Sequence, residues 1–132
     1  MNLPKPVLPN GSVLCRVDEL DDPGCKEFRI ETARGARYMF VVRKGSDVYG
    51  YMNWCPHYGA TLDWKQDQFL NYEKTQILCS LHGAEFTIED GVCVLGPCEG
   101  DALRRVSLKV ANGTIRLDLQ PGENPPDPYA RA

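Results

Sequence analysis

Residues 37–54 read RYMFVVRKGSDVYGYMNW, and this stretch decides the fold class. Arg37–Arg43 and Asp47–Trp54 are rich in β-branched and aromatic residues, which suit a pleated, half-buried surface. Lys44, Gly45 and Ser46 separate the two runs, so they read as the arms of a β-hairpin. The same rhythm continues toward the C-terminus. Ala84-Glu-Phe-Thr-Ile88 alternates, Glu89-Asp90-Gly91 turns the chain, and Val92-Cys-Val94 returns. Val106, Leu108 and Val110 alternate with Ser107 and Lys109, and Asn112-Gly113 is a strong two-residue hairpin signal. Ile115, Leu117 and Leu119 carry the period of two back. A helical period is nowhere sustained over three turns, and no internal repeat is visible. The sequence predicts an all-β or nearly all-β domain; an antiparallel β-sandwich and a barrel share this pattern.

The chain has 132 residues, one domain's worth, enough for a core that buries about two-thirds of the unfolded surface. Apolar residues make up 42% and charged residues 25%, which is ordinary globular usage and argues against wholesale disorder. The longest apolar run, Tyr38–Val42, is too short for a membrane span. The start, MNLPKPVLPNG, has no apolar stretch behind a basic flank, so no secretory signal is read there. With a net charge of −3 and acids and bases interspersed, no basic footprint for nucleic acid is present.

Prolines gather at both ends, at Pro4, Pro6 and Pro9 and again at Pro121, Pro125, Pro126 and Pro128. Proline lacks the amide donor and fixes its backbone, so these ends cannot be helices or interior strands. Residues 1–10 are expected as an extended arm, 11–119 as the folded domain and 120–132 as a Pro-rich tail. One segment, 61–74, interrupts the strand rhythm, and its pattern fits a short helical turn or an extra hairpin equally.

Six cysteines stand at positions 15, 25, 55, 79, 93 and 98, and the chain has only two histidines, His57 and His82. Three disulfides would suit a secreted protein, whereas clustered cysteines in a reducing cytoplasm more often hold metal. Both histidines lie beside a cysteine, in Cys55-Pro56-His57 and in Cys79-Ser80-Leu81-His82-Gly83. Trp54 ends the strand before the first pair and Ile77-Leu78 leads into the second, so each pair sits on a loop at a strand end. Two such loops side by side can converge four ligands, and glycines at 59 and 83 let the backbone curl close to them. Two cysteines and two histidines suit tetrahedral zinc. A structural zinc site, however, usually draws its cysteines from one knuckle and its histidines from another, and here each loop supplies one of each. A binuclear iron–sulfur cluster accommodates that arrangement, with one iron taking both sulfurs and the other both imidazoles.

The motifs CPHYGA at 55–60, CSLHGAEF at 79–86 and GVCVLGPCEG at 91–100 resemble the Rieske-type [2Fe–2S] proteins, over about residues 12–119. The resemblance implies one [2Fe–2S] cluster per chain. Cys55 and Cys79 would bind one iron, and His57 and His82 the other. It implies a small cluster-binding subdomain on the sandwich or barrel base, with ligand loops at 55–60 and 79–86. A Gly-Pro loop shields the cluster in the family, and Gly96-Pro97, within 95–100, looks like it. Tyr58, Gly59, Gly83 and Ala84 would surround the ligands. Twenty-one residues separate His57 from Cys79, a few more than is usual in small Rieske ferredoxins. The excess is read as an insertion within 61–74.

Two ferric ions, two sulfides and two thiolates sum to zero, whereas four thiolates would give −2. An electron enters the neutral unit more easily, which places histidine-ligated clusters at about −150 to +300 mV. High-potential members of the family carry a serine after the second His-Gly and a tyrosine two residues on. Here those positions are Ala84 and Phe86. Those members also join the two loops by a disulfide, for which neither loop here has a spare cysteine. The lower part of the range is therefore expected. Each imidazole ligand would leave one N–H outward, coupling reduction to protonation at alkaline pH.

With both histidines committed, no His remains for the mononuclear iron of a complete oxygenase or for a Ser-His-Asp set. Neither GxGxxG nor GxxxxGK[ST] occurs. The chain is thus expected to be a non-catalytic cytoplasmic carrier, taking single electrons from a flavoprotein reductase to a terminal oxygenase or similar acceptor. Two other classes fit the residues: a small subunit of a larger redox enzyme, like that of assimilatory nitrite reductase, and a zinc-stabilised binding module. Cys15 and Cys25 read as ordinary buried thiols, and the rarity of cytosolic disulfides weighs against a bond between Cys93 and Cys98. Trp54, Trp64 and Tyr58 read as packing residues. The acidic run Asp18–Asp22 reads as a solvated loop.

Overall fold

The 37–54 stretch is a hairpin whose first arm is buried on both sides. In the structure, a computed structural model, residues 5–33, 35–54, 62, 67–79, 83–96 and 101–120 are described. Among these, the strands in chain order are β1 (Val7–Leu8), β2 (Val13–Arg16), β3 (Gly24–Thr32), β4 (Gly35–Lys44), β5 (Asp47–Met52), β6 (Ile77–Leu78), β7 (Glu85–Phe86), β8 (Cys93–Leu95), β9 (Leu108–Ala111) and β10 (Thr114–Leu117). They form three sheets, ordered β1-β3-β4-β5, β2-β10-β9 and β6-β7-β8. All pairings between these strands are antiparallel except β1 with β3. The domain is nearly all β, as its alternation predicts.

Two cores lie on opposite faces of the β1-β3-β4-β5 sheet. Met39 and Val41 of β4 point one way, to Phe28, Ile30, Met52, Leu14, Val106, Ile115 and Leu117. Phe40 and Val42 point the other way, to Tyr51, Phe69, Ile77, Phe86 and Ile88. Successive side chains of a strand alternate faces, so a strand covered on both sides must be apolar throughout. That explains the unbroken run Tyr38–Val42. The first core joins this sheet to β2-β10-β9; the second joins it to the short β6-β7-β8 sheet.

The turns follow their residues. Lys44 pairs with Asp47, leaving Gly45 and Ser46 as a two-residue turn. Asn112 and Gly113 adopt φ of 53° and 74°, the left-handed pair that matches strand twist in a tight hairpin. β5 ends at Met52, two residues before the expected Trp54. Asn53 N–H still donates to Tyr38 O of β4 (3.0 Å), and the strand ends there because Trp54 N–H turns back onto Met52 O (2.9 Å).

Three regions carry more structure than their sequence suggests. The acidic run begins as a 3-10 turn, Val17–Glu19; Leu20 is buried, and the Asp22 carboxylate accepts from Gly45 N–H at 2.7 Å. In the front arm, Val7 and Leu8 pair with Arg29 and Ile30, and Asn10 exchanges two hydrogen bonds with Leu119. In the 61–74 excursion between the two Cys/His motifs, Leu70 bridges Ile77, so its second half is an extra short hairpin. Asn71 Oδ1 organises that turn by accepting from Thr75 N–H and Gln76 N–H, leaving Tyr72 98% exposed at the tip. Among the described residues, no helix is long and apolar enough to cross a membrane.

Candidate metal centre

Of the four expected ligands, Cys79 lies among the described residues and Cys55, His57 and His82 lie outside them. Tyr58, Gly59 and Pro97 lie outside them as well, as do Trp64 and Cys98. Cys79 directly follows β6 and is wholly enclosed, at 0% exposure. Its N–H donates to Ala84 O at 2.8 Å, and its carbonyl accepts from Gly83 N–H at 3.0 Å. The two ends of the second motif are therefore tied together by backbone bonds. Gly83 has a φ of 72°, a left-handed conformation that glycine adopts without strain.

Ala84 is buried, and Gly96 from beyond β8 lies against it. A Cβ on Gly96 would stand 3.0 Å from Ala84 Cα, and its φ of 105° again favours glycine. The structure thus brings Cys79, Gly83, Ala84 and Gly96 together at one end of the β6-β7-β8 sheet. Phe86 faces the interior below them, packed with Ile77, Cys93 and Leu103.

The segment 101–106 ties this small sheet to the larger one. Cys93 N–H donates to Asp101 O (2.8 Å) and Leu103 N–H to Gly91 O (2.8 Å). Met52 N–H then donates to Arg104 O (2.8 Å), and Val106 N–H to Gly50 O (2.9 Å). Side chains make a second joint. Tyr51 O–H donates to Ile88 O at 2.5 Å, and Phe40 stacks on Phe69 of the excursion at 4.2 Å between ring centroids. Burial pushes the Tyr51 phenol up to about 12, although the Arg105 guanidinium works against the shift.

Sequence reasoning missed Asn53, Glu27 and Asp67, which link β3, the exit of β5 and the excursion. Asn53 Nδ2 donates to Glu27 Oε2 at 2.6 Å and its Oδ1 accepts from Leu62 N–H at 2.7 Å. Asp67 Oδ1 accepts from Glu27 N–H at 2.8 Å. The available signal was an asparagine ending an apolar strand, a position where an alternating pattern offers it no solvent.

The remaining cysteines differ in setting. Cys15 is buried in β2, and burial, helped by the nearby Glu19 carboxylate, raises its thiol pKa, which suits a packing role. Cys25 in β3 is half-buried and its Sγ donates to Asp67 O at 3.1 Å. Cys93 is buried in β8.

Among the described residues no group of three or more His, Cys, Asp and Glu could hold a metal ion. The donor set expected from the sequence comprises two thiols and two imidazoles. Soft sulfur with imidazole suits iron–sulfur or zinc chemistry and does not suit the oxygen-seeking calcium or magnesium. The enclosed Cys79 and the glycine approach at Gly96 fit a bound group shielded from water.

The model of the Rieske [2Fe–2S] domain family matches residues 11–112. No curated protein sequence matches the chain. Among solved structures, the ferredoxin of carbazole 1,9a-dioxygenase from Nocardioides aromaticivorans IC177 is similar, with a TM-score of 0.63 and 24% identity over 83% of this chain and 97% of that one. The Sphingomonas yanoikuyae B1 ferredoxin gives 0.61 and 23% identity over 85% of this chain and 100% of that one. A chain from a complex of reduced oxygenase and oxidized ferredoxin in carbazole 1,9a-dioxygenase gives 0.61 and 21% identity, over 81% and 91%. At these identities the likeness is one of fold.

Proposed function

This chain belongs to the Rieske [2Fe–2S] domain family, and from that membership we propose a one-electron carrier with one [2Fe–2S] cluster per chain. Cys55 and Cys79 would hold one iron, and His57 and His82 the other. Such a cluster, when bound, accepts and releases a single electron.

The chain's own residues set the conditions. The enclosure of Cys79 keeps water from its sulfur, and Gly96 lets the shielding segment lie directly on Ala84. Ala84 and Phe86 offer no hydroxyl, so two hydrogen-bond donors that would favour the reduced state are missing. The reduction potential is expected in the lower part of about −150 to +300 mV. With both histidines serving as ligands, the chain supplies no imidazole for acid–base chemistry.

The proposed donor is a flavoprotein reductase and the proposed acceptor a terminal oxygenase or similar enzyme, in the cytoplasm. Similarity along 97% of a small ferredoxin of a dioxygenase system supports a free carrier rather than a subunit. The observation that carries the proposal is the coincidence of the family match with both Cys/His motifs. Anaerobically purified protein should be reddish-brown, bleach on reduction, and contain about two irons and two acid-labile sulfides per chain. A colourless protein with one zinc would overturn the reading, and stable copurification with a larger enzyme would make the chain a subunit.

A further inference from the structure

Among the described residues, Asn53 is the one buried side chain that carries an amide, carboxylate, aliphatic hydroxyl or cationic group, at 4% exposure. It stands two residues before Cys55, and its amide faces two ways. Oδ1 accepts from Leu62 N–H at 2.7 Å, and Nδ2 donates to Glu27 Oε2 at 2.6 Å. The chain therefore leaves β5 at Asn53 and is brought back to the same side chain at Leu62. Asn53 and Leu62, which bracket the first Cys/His motif in the sequence, are thus joined through one amide.

The other half of the clamp is β3. Glu27 N–H donates to Asp67 Oδ1 at 2.8 Å, and Cys25 Sγ donates to Asp67 O at 3.1 Å. The segment that follows the first motif is thus fixed to the same strand that receives Asn53. Leu62 itself is wholly buried against the aromatic core. Described residues on either side of the first motif are linked to β3 by polar bonds in a buried setting, where losing a partner is costly.

The chemistry admits few substitutes. The position needs an acceptor toward Leu62 and a donor toward a carboxylate, and among short side chains an amide supplies both. Aspartate would keep the acceptor, lose the donor and set a second carboxylate against Glu27. Leucine would supply neither.

We propose that Asn53, braced by Glu27, is the positioning residue for the first ligand loop. This inference rests on the reading of that loop as a cluster-binding loop. The clamp fixes the separation of the loop's two ends and so restrains the ligands between them.

The test uses the cluster-loaded protein and three readouts: thermal midpoint, rate of iron loss to an excess of bipyridyl, and the electron paramagnetic resonance spectrum of the reduced state. Asn53→Ala and Asn53→Asp should lose iron about tenfold faster than wild type, the scale of one hydrogen bond to a charged group, and shift the resonance g-values. Glu27→Ala should move both readouts in the same direction. Glu27→Gln, which retains an acceptor oxygen, should restore both to near wild type. Ile115→Val in the opposite core should lower the thermal midpoint alone. If the Asn53 variants do not fold, Glu27→Ala against Glu27→Gln decides the matter. Wild-type loss rates and g-values in Asn53→Ala, or in Glu27→Ala, overturn the proposal. A wild-type protein without iron and sulfide defeats the underlying cluster reading instead, and that outcome is visible before any variant is made.

Discussion

The two cores of this domain are built by different means. Against β2-β10-β9, the core is largely aliphatic and sulfur-bearing, with Ile30, Met39, Val41, Met52, Ile115 and Leu117 among its members, and its outer wall is three strands of four residues each. Against β6-β7-β8, the core is aromatic, with Phe40, Tyr51, Phe69 and Phe86, and its walls are strands of two or three residues. Short strands give few ladder bonds, so side chains take over: Tyr51 to Ile88, Asn53 to Leu62 and Glu27, Asp67 to Glu27, and Asn71 to Thr75 and Glu85. Irregular backbone must still satisfy its polar groups, and side chains accept from the N–H groups of Glu27, Leu62, Thr75 and Gln76. The difference separates a scaffold that carries the stability from a region whose stability is local and tied to the site.

The largest effects should come from emptying each core in turn. Phe40→Ala removes a ring stacked on Phe69 at 4.2 Å and should cost about 3–5 kcal/mol. Ile115→Ala on the opposite face should cost about 2–5 kcal/mol. Both losses are read from urea unfolding of the loaded protein. Only Phe40→Ala should also expose the 69–78 hairpin to limited proteolysis, because Phe69 anchors that hairpin from within the core. Equal protease sensitivity in the two variants would merge the cores into one cooperative unit and dissolve the distinction.

The same contrast decides what could be read from the sequence. The hairpin around Gly45 and Ser46 and the one at Asn112-Gly113 were legible because period, turn residues and register are local properties. The paired Cys/His motifs were legible because each places its donors within a few residues. The burial of β4 on both faces is implied by Tyr38–Val42, although the run does not say what covers each face. The rest depends on partners far apart in the chain. Asn53 meets both Leu62 and Glu27, and the Asp67 that braces Glu27 lies forty residues from it; no single window contains them. The extra hairpin at 69–78 is held by Asn71, whose amide reads as an ordinary loop residue until Thr75, Gln76 and Glu85 surround it. Val7 and Leu8 form a strand only because β3 offers them an edge.

A third effect, no larger than the two core losses, probes the contact at which the two halves meet. Gly91 in the β7–β8 turn has a φ of 69°, and a Cβ there would fall 2.6 Å from Tyr51 Cε1. Gly91→Ala should therefore cost about 1–3 kcal/mol for overpacking and about 1–2 kcal/mol for the left-handed backbone. The two terms can be separated. In a Tyr51→Leu background the clash is gone and only the backbone term should remain, which appears as a favourable coupling in a double-mutant cycle. Additive losses would mean that the turn and the tyrosine do not bear on one another.

The smallest effect is also the most specific, because it concerns one proton. Burial raises the Tyr51 phenol to about 12 in the folded chain, against about 10 when unfolded. Between these values the folded chain holds a proton that the unfolded chain has released, so raising the pH favours unfolding. The contribution is complete below pH of about 10 and is lost as the pH rises through about 12. Tyr51→Phe lacks the titrating group and also lacks the hydrogen bond to Ile88 O, worth about 1 kcal/mol. Below pH of about 10 the wild type should be the more stable by that amount. Because its advantage falls by about 1.4 kcal/mol per pH unit above this point, the two stability curves should meet near pH of about 11. A constant gap up to that pH would show that the phenol keeps its ordinary acidity. The joint between the two cores would then be wet, and the aromatic half could not be the enclosed compartment that the burial of Cys79 requires.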